Sequence, residues 1–308
     1  MKLLTYRHGR QERTGYLSED ETKIIDLKDI GIDNSSMNEL IETLSLEELL
    51  DLREEAKKNG TEERALEKAI SLAEVKLLSP IPRPRQDVIC LGINYAAHAE
   101  ESARYKKEAF NRETYPIYFA KRVNEAVADG DPVDAHSDMF KNLDYEAELA
   151  VIIGKSKKDT GICRNVKGED ASKHIFGYTI LNDISAREIQ TRHKQWYFGK
   201  SLDAFTPIGP WIVTADEIAY PPELAIRSYV NGELRQDSNT NLLINDIDYI
   251  IEELSQGMTL LLASIISTGT PAGVGMGFEP PKFMKPGDVV TCEIEKIGKI
   301  TNPIEDMK

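Results

Sequence analysis

Asn142-Leu-Asp-Tyr-Glu-Ala-Glu-Leu-Ala-Val-Ile-Ile-Gly154 sets the frame for the rest of the chain. Its second half, Leu149 to Ile153, is an unbroken apolar run rich in β-branched residues and closed by Gly154. Such a run predicts a strand buried on both faces. Glu146 and Glu148 stand two apart at its entrance, so on a strand they project from the same face. Carboxylates held side by side repel, and one takes up a proton unless a cation sits between them. Oxygen-only donors favour Mg²⁺, Mn²⁺ or Ca²⁺ over zinc. The competing reading is two ordinary solvated acids at a strand end, since Glu is mostly exposed.

The 308 residues suffice for one large domain, or a large one with a small companion. A composition of 41% hydrophobic and 29% charged residues is that of an ordinary globular protein. The net charge of −14 argues against nucleic acid or an anionic membrane as partner. Cys90, Cys163 and Cys292 are far apart and lack C-x-x-C spacing, which suits a reducing cytoplasm and offers no zinc site. No apolar run approaches the ~18 residues that span a bilayer. The opening Met-Lys-Leu-Leu-Thr-Tyr-Arg-His passes straight into a strand-like segment, so no signal peptide is expected.

Upstream of the carboxylate strand, residues 2–7 and 23–27 read as a hairpin around the turn-rich Leu17-Ser-Glu-Asp-Glu-Thr22. Ser45-Leu-Glu-Glu48 has capping-box spacing and opens a helix that Gly60 stops; Thr61-Glu-Glu-Arg64 opens another to about Leu72. Ser79-Pro-Ile-Pro-Arg-Pro-Arg85 is stiff and cannot be a central strand. We place a boundary there, with a small α+β N-terminal domain over 1–80 and the main domain over 81–308. Val88-Ile-Cys-Leu91 reads as a buried strand leading to a short helix over 95–104, on which His98 and Glu101 face each other at i, i+3. A carboxylate beside an imidazole suits a general base acting on water, and a surface helix with both by chance is the alternative. The charged, poorly periodic stretch from Arg104 to Glu113 reads as a lid.

Downstream, a helix over 168–174 and the buried strand Phe176-Gly-Tyr-Thr-Ile-Leu181 deliver Asn182-Asp183. Ser185-Ala-Arg-Glu188 again has capping-box spacing, and Asp183, Arg187 and Gln190 share a face if that helix reaches back far enough. Asp183 is then either a third metal oxygen, with Arg187 and Gln190 aimed at a bound carboxylate, or a helix cap paired with Arg187. Lys200, in a Gly-flanked aromatic loop, is either a surface charge or an electrophile in a pocket. A hairpin turns at Asn231-Gly232, and Asp246 to Leu262 reads as a long amphipathic helix. Ser267-Thr-Gly-Thr-Pro-Ala-Gly-Val-Gly-Met-Gly277 lacks the Lys-Ser/Thr of a P-loop and follows a helix rather than a strand, which speaks against nucleotide binding. Its glycines suit close approach of backbone N–H groups to a ligand.

Taken together, several of these stretches resemble the fumarylacetoacetate hydrolase family. They are Gly92-x-Asn-Tyr-x-x-His98-x-x-Glu101, Tyr145-Glu-x-Glu148-Leu and Gly177-Tyr-Thr-x-x-Asn182-Asp183-x-Ser-Ala-Arg187, then Gly199-Lys200-Ser-x-Asp203, Thr268-Gly-Thr-Pro-Ala-Gly-Val-Gly275 and Lys285-Pro-Gly-Asp288. The resemblance covers residues 85–308 and implies an α+β fold, a mixed β-roll catalytic domain after the small N-terminal one, usually as a homodimer. It implies a divalent metal, Mg²⁺ or else Mn²⁺ or Ca²⁺, on Glu146, Glu148 and Asp183. It also implies a water-activating dyad of His98 and Glu101, with Lys200 as a further catalytic cation. Arg187, Gln190, Thr270 and Lys121 would contact a small anionic 2-oxo acid. Leu91 stands where longer members carry a fourth carboxylate, which places the chain with the smaller, three-carboxylate members. Leu261-Leu-Ala-Ser264 replaces a common Pro-Gly-Asp turn, and Arg122 replaces a common Pro, as an extra cation near the pocket or as an exposed one.

The chemistry fits these residues. A 2-oxo acid can chelate a metal through its carboxylate and oxo oxygens, and the cation then stabilises the charge that forms when a C–C bond breaks. Hydrolysis of an acylpyruvate-like β-diketo acid is the expected reaction. Decarboxylation of oxaloacetate, isomerisation or tautomerisation of an unsaturated dicarboxylic acid, and non-catalytic metabolite binding are the alternatives.

Overall fold

The structure is a computed structural model that describes residues 1–106, 115–155 and 163–307. Among these residues, the fold centres on the strand Ala147–Ile153, every residue of which is buried. Leu149, Val151 and Ile153 pack into one apolar cluster, while Ala150 and Ile152 pack into another. The two clusters lie on opposite faces of the strand, as the unbroken apolar run requires. Burying such side chains stabilises the fold by about 1.5–3 kcal/mol each, as upper-bound values.

Around it an eleven-stranded sheet is assembled. Ala147–Ile153 runs antiparallel to Ile175–Asn182 on one side and to Ile265–Ser267 on the other. Beyond these lie Ile208–Thr214 and, on the opposite flank, Val88–Leu91 and Tyr118–Lys121. Ile265–Ser267 and Val88–Leu91 are parallel, so the sheet is mixed. The N-terminal strand Lys2–His8 continues it through Leu3↔Ile212. A second sheet of five strands, built on Ala225–Val230 and Val289–Ile294, contributes Ile226, Cys292 and Ile294 to the cluster on one face of the central strand. The helices Met37–Thr43 and Leu46–Lys58 contribute Leu40, Ile41 and Leu49 to the cluster on the other. The architecture is α+β with mixed sheets, as expected.

Differences from the sequence reading are local. The opening hairpin is a three-stranded meander, because Gln11–Leu17 is itself a strand between Lys2–His8 and Lys23–Asp26. The helix Ile247–Gly257 stops short of Leu262, and Thr61–Lys68 stops short of Leu72. Ser185 caps no helix: it pairs in a two-residue strand with Asp144 and its hydroxyl donates to Asp183 O. A strand, Ile265–Ser267, stands between the long helix and the glycine-rich segment. The stretch read as a lid lies, from residue 107 on, outside the described residues. No helix among the described residues is long and apolar enough to cross a membrane.

At Ser45 the capping box is complete: the Ser45 hydroxyl accepts from Glu48 N at 3.1 Å and Ser45 N donates to Glu48 Oε2 at 2.7 Å. Ser45→Ala should therefore lower stability by about 1 kcal/mol, read as a lower denaturant midpoint with unchanged slope.

Candidate functional site

The register of the central strands builds the site. Ala147 faces Asn182 across the antiparallel pair, which brings the residue before one strand beside the residue after the other. Asp183 N donates to Glu146 O at 2.9 Å, and Glu146 N donates to the Asn182 side chain at 3.0 Å. Glu146, Glu148 and Asp183 are all buried, and one carboxylate oxygen from each lies within 4.8 Å of the others.

Three cations answer this buried negative charge unevenly. Lys200 Nζ donates to Glu146 Oε2 at 2.8 Å and to Asp183 Oδ2 at 2.6 Å. Lys121 Nζ lies 2.8 Å from Asp183 Oδ1, outside hydrogen-bond geometry, and donates to the carbonyls of Ile184 and Lys200. Arg187 Nη1 lies 2.6 Å from Glu146 Oε1. Glu148 has no cation at such a distance among the described residues. Its Oε2 accepts from Ser267 Oγ at 2.5 Å and Gly269 N at 2.9 Å, and its Oε1 is buried without a hydrogen-bond partner among the described residues.

The protonation energetics follow this asymmetry. Burial, then the charges of Asp183 and Glu146, push Glu148 well above the ordinary carboxylate range. Burial would raise Glu146 too, but Lys200, Arg187 and His98 outweigh it and hold Glu146 below that range. Burial would lower Lys200, yet Asp183 and Glu146 keep it above the ordinary lysine value. For Lys121 burial prevails and its value falls, despite Asp183. An orphaned, charge-starved oxygen beside two further carboxylates fits a hard divalent cation. The residues present thus fit the metal that the sequence implies.

The dyad forms as the helical spacing predicts. On the helix Ala96–Lys106, His98 Nδ1 and Glu101 Oε2 lie 3.0 Å apart, both side chains nearly enclosed. Glu101 Oε1 accepts from Gly273 N at 3.0 Å. His98 borders a cleft of about 430 Å³, with Glu146, Arg187, Gln190, Lys200 and Trp196 also in its wall. The cleft therefore gathers an imidazole, the cations Arg187, Lys194 and Lys200, and the Glu146 carboxylate.

Other sequence candidates sit behind the wall. Thr270 is fully buried, donating to Ala147 O at 3.0 Å and accepting from Gln236 Nε2 at 2.7 Å. Lys121 is equally buried, its ammonium shared among Asp183 and two carbonyls. Arg122 is exposed and does not border the cleft. Asp183 does not share a helix face with Arg187 and Gln190, because the helix begins at Arg187. The amides of the glycine-rich segment, expected to face a ligand, donate to protein carboxylates instead: Gly269 to Glu148, Gly273 to Glu101, and Gly275 to Asp144.

Two features in and behind the wall were not singled out in the sequence. Trp196 packs edge-on against Phe119, with centroids 5.3 Å apart, and a Cβ at Gly92 would meet its ring at 2.3 Å. Glycine at 92 is thus a steric requirement of that wall. Asp144, two residues before Glu146, receives Arg187 Nε at 2.8 Å. The alternation of acids at 144, 146 and 148 was its available signal.

Residues 87–305 match the family model described as fumarylacetoacetate (FAA) hydrolase, C-terminal. Oxaloacetate tautomerase YisK of Bacillus subtilis (strain 168) is 47% identical over 234 residues, 76% of this chain and 74% of that protein. The structure of a fumarylacetoacetate hydrolase from psychrophilic Exiguobacterium antarcticum is 36% identical and superposes with a TM-score of 0.80 over the whole of both chains. A maleylpyruvate hydrolase from Sphingobium sp. SYK-6, in complex with manganese(II) and pyruvate, is 31% identical, with a TM-score of 0.74 over 99% of each chain.

Proposed function

The chain belongs to the fumarylacetoacetate hydrolase family, and from that premise we propose that it is a divalent-metal-dependent tautomerase of a short 2-oxo dicarboxylic acid, with oxaloacetate as the simplest substrate. The observation that carries this reading is His98 on the cleft wall, its Nδ1 held by Glu101, beside Lys200 and Arg187. Enol–keto conversion requires one group that moves a proton between oxygen and carbon, and cations that hold negative charge on oxygen meanwhile. The cleft supplies both. The name of the Bacillus relative, at 47% identity, supports the same reaction.

Bound by Glu146, Glu148 and Asp183, Mg²⁺ or Mn²⁺ would polarise the carboxylate and neighbouring oxygen of the substrate. The protein's own groups do the rest. Arg187 and Gln190 bind and orient a carboxylate. Glu101, fixed by Gly273 N, holds the His98 ring so that Nε2 is the nitrogen left to move a proton. His98 takes the proton from the C2 hydroxyl of the enol and delivers it to C3, so the conversion is atom-balanced and needs no water. Lys200 stabilises the charge on the C2 oxygen between the two transfers.

Hydrolysis of an acylpyruvate, the reaction expected from the sequence, is the second reading, favoured by the 31% identical maleylpyruvate hydrolase. The two part on whether the dyad activates water.

The test is decay of the enol absorbance of freshly dissolved oxaloacetate, with and without Mg²⁺ or Mn²⁺, alongside pyruvate release from oxaloacetate and from acetylpyruvate. Metal-dependent enol decay without pyruvate is the expected result. Pyruvate from acetylpyruvate with no enol decay would overturn it in favour of hydrolysis. His98→Ala should slow the reaction by about 10²–10⁴-fold and leave Mn²⁺ affinity unchanged; an active variant would remove the dyad from the mechanism.

A further inference from the structure

We propose that Asp144 is a positioning residue that sets the orientation of Arg187 and registers it against the glycine-rich segment behind the dyad. The inference rests on the reading of Arg187 as the ligand of a substrate carboxylate. Asp144 is fully buried, and its carboxylate is fully engaged. Oδ2 accepts from Arg187 Nε at 2.8 Å and Met276 N at 3.0 Å, and Oδ1 from Gly275 N at 2.6 Å and Tyr145 N at 2.9 Å. A carboxylate offers about four acceptor positions, so none is left for substrate or metal. Asp144 thus acts through its neighbours.

The guanidinium shows what that anchoring achieves. With Nε on Asp144, Nη1 reaches both Glu146 Oε1 at 2.6 Å and Gln190 Oε1 at 3.1 Å. Nη2 is buried and has no hydrogen-bond partner among the described residues, although Arg187 borders the cleft. A buried, unpaired donor is costly to keep, which is expected where a ligand completes it. Without Asp144, Glu146 would be the one acid holding the guanidinium among the described residues, and rotation about that contact would misdirect Nη2. The arrangement also divides the oxygens of Glu146: Oε1 meets Arg187 and Oε2 faces Lys200.

The same backbone segment fixes the other acids. Gly269 N holds Glu148, Gly273 N holds Glu101, and Gly275 N with Met276 N holds Asp144. A Cβ at Gly275 would meet Asp144 Oδ1 and Lys282 O, each at 2.6 Å, so only glycine allows this approach. One strip of amides thereby sets the metal-site acid, the dyad acid and the arginine anchor in mutual register.

The test uses the full-length protein saturated with Mn²⁺ and oxalate as the probe, with affinity read by calorimetry for wild type, Asp144→Asn, Arg187→Lys and the double variant. Asparagine keeps the shape but turns a donor toward N–H groups. Each single change should weaken oxalate about 10–100-fold, and the double variant should be little weaker than Arg187→Lys alone. Mn²⁺ affinity without oxalate should change less than about threefold, whereas a general loss of structure would lower both. Multiplying losses, an unaltered Asp144→Asn, or a parallel fall in Mn²⁺ affinity would overturn the proposal. Should Asp144→Asn fail to fold, ¹⁵N-arginine-labelled wild type decides: the Arg187 Nε–H signal, assigned by its absence in Arg187→Lys, should exchange slowly, and fast exchange would overturn the proposal. Neither readout needs turnover, so absence of tautomerase activity would refute the assigned reaction without touching this result.

Discussion

Glu148→Gln should lose metal-dependent stabilisation altogether, lose activity by about 10³-fold, and yet be at least as stable as wild type in the absence of metal. The side chain is 1% exposed, and its one satisfied oxygen receives Ser267 Oγ and Gly269 N. Glutamine has the same shape and can keep accepting both bonds through its carbonyl oxygen. What changes is the orphaned position, where an N–H₂ group replaces an oxygen able to bind a cation. Because burial and the neighbouring acids penalise the charged form of Glu148, the neutral amide relieves a strain when no metal is present. The pH dependence follows with its sign. A carboxyl whose folded value is raised contributes stability below the ordinary carboxylate range and loses it as pH rises through the raised value. Metal-free wild type should therefore weaken over that interval, Mn²⁺ should restore it while releasing a proton, and the glutamine variant should show neither trend. Thermal denaturation across pH, with and without Mn²⁺, measures all three. Equal stabilisation of the variant and wild type by Mn²⁺ would remove Glu148 from the metal site.

The sequence carried this site because its signals were local. The run from Leu149 to Ile153 could only be a doubly buried strand, and acids two apart at its mouth had to share a face. His98 and Glu101 needed only one turn of helix to meet. Features set by long-range pairing were hidden. Nothing near Asp144 announces that Arg187 and the amides of Gly275 and Met276 converge on it from 43 to 132 positions away. Ser185 shows the converse failure, since its spacing to Glu188 mimics a cap while strand pairing with Asp144 diverts the residue. The strand Gln11–Leu17 escaped notice because its first half is polar and half exposed, so burial alone could not mark it. The glycines of 269–277 were legible as a place of close approach, but what approaches them comes from elsewhere in the chain.

Lys200→Met should separate two roles that one ammonium performs. Lys200 bridges Glu146 and Asp183, with all three side chains at most 5% exposed. Removing one member of a buried ion network costs about 3–5 kcal/mol, so even with Arg187 beside Glu146 and Lys121 beside Asp183 the metal-free variant should melt well below wild type. A divalent ion placed among the same carboxylates would replace the missing charge. Mn²⁺ should therefore raise the melting temperature of Lys200→Met by more than it raises that of wild type. Mn²⁺ affinity should itself increase, by roughly tenfold for each 1.4 kcal/mol of repulsion relieved, because the ammonium on Glu146 and Asp183 repels a second cation at the same carboxylates. Activity should move the other way, falling about 10²–10³-fold, since the ammonium that shares the developing negative charge on the C2 oxygen is gone. Calorimetric Mn²⁺ titration beside the enol assay provides the comparison. Tighter metal with slower turnover would show that Lys200 competes with the ion at rest and cooperates with it in the reaction. Weaker metal with slower turnover would instead make Lys200 a support for the ligands, and its assignment as an electrophile would fall.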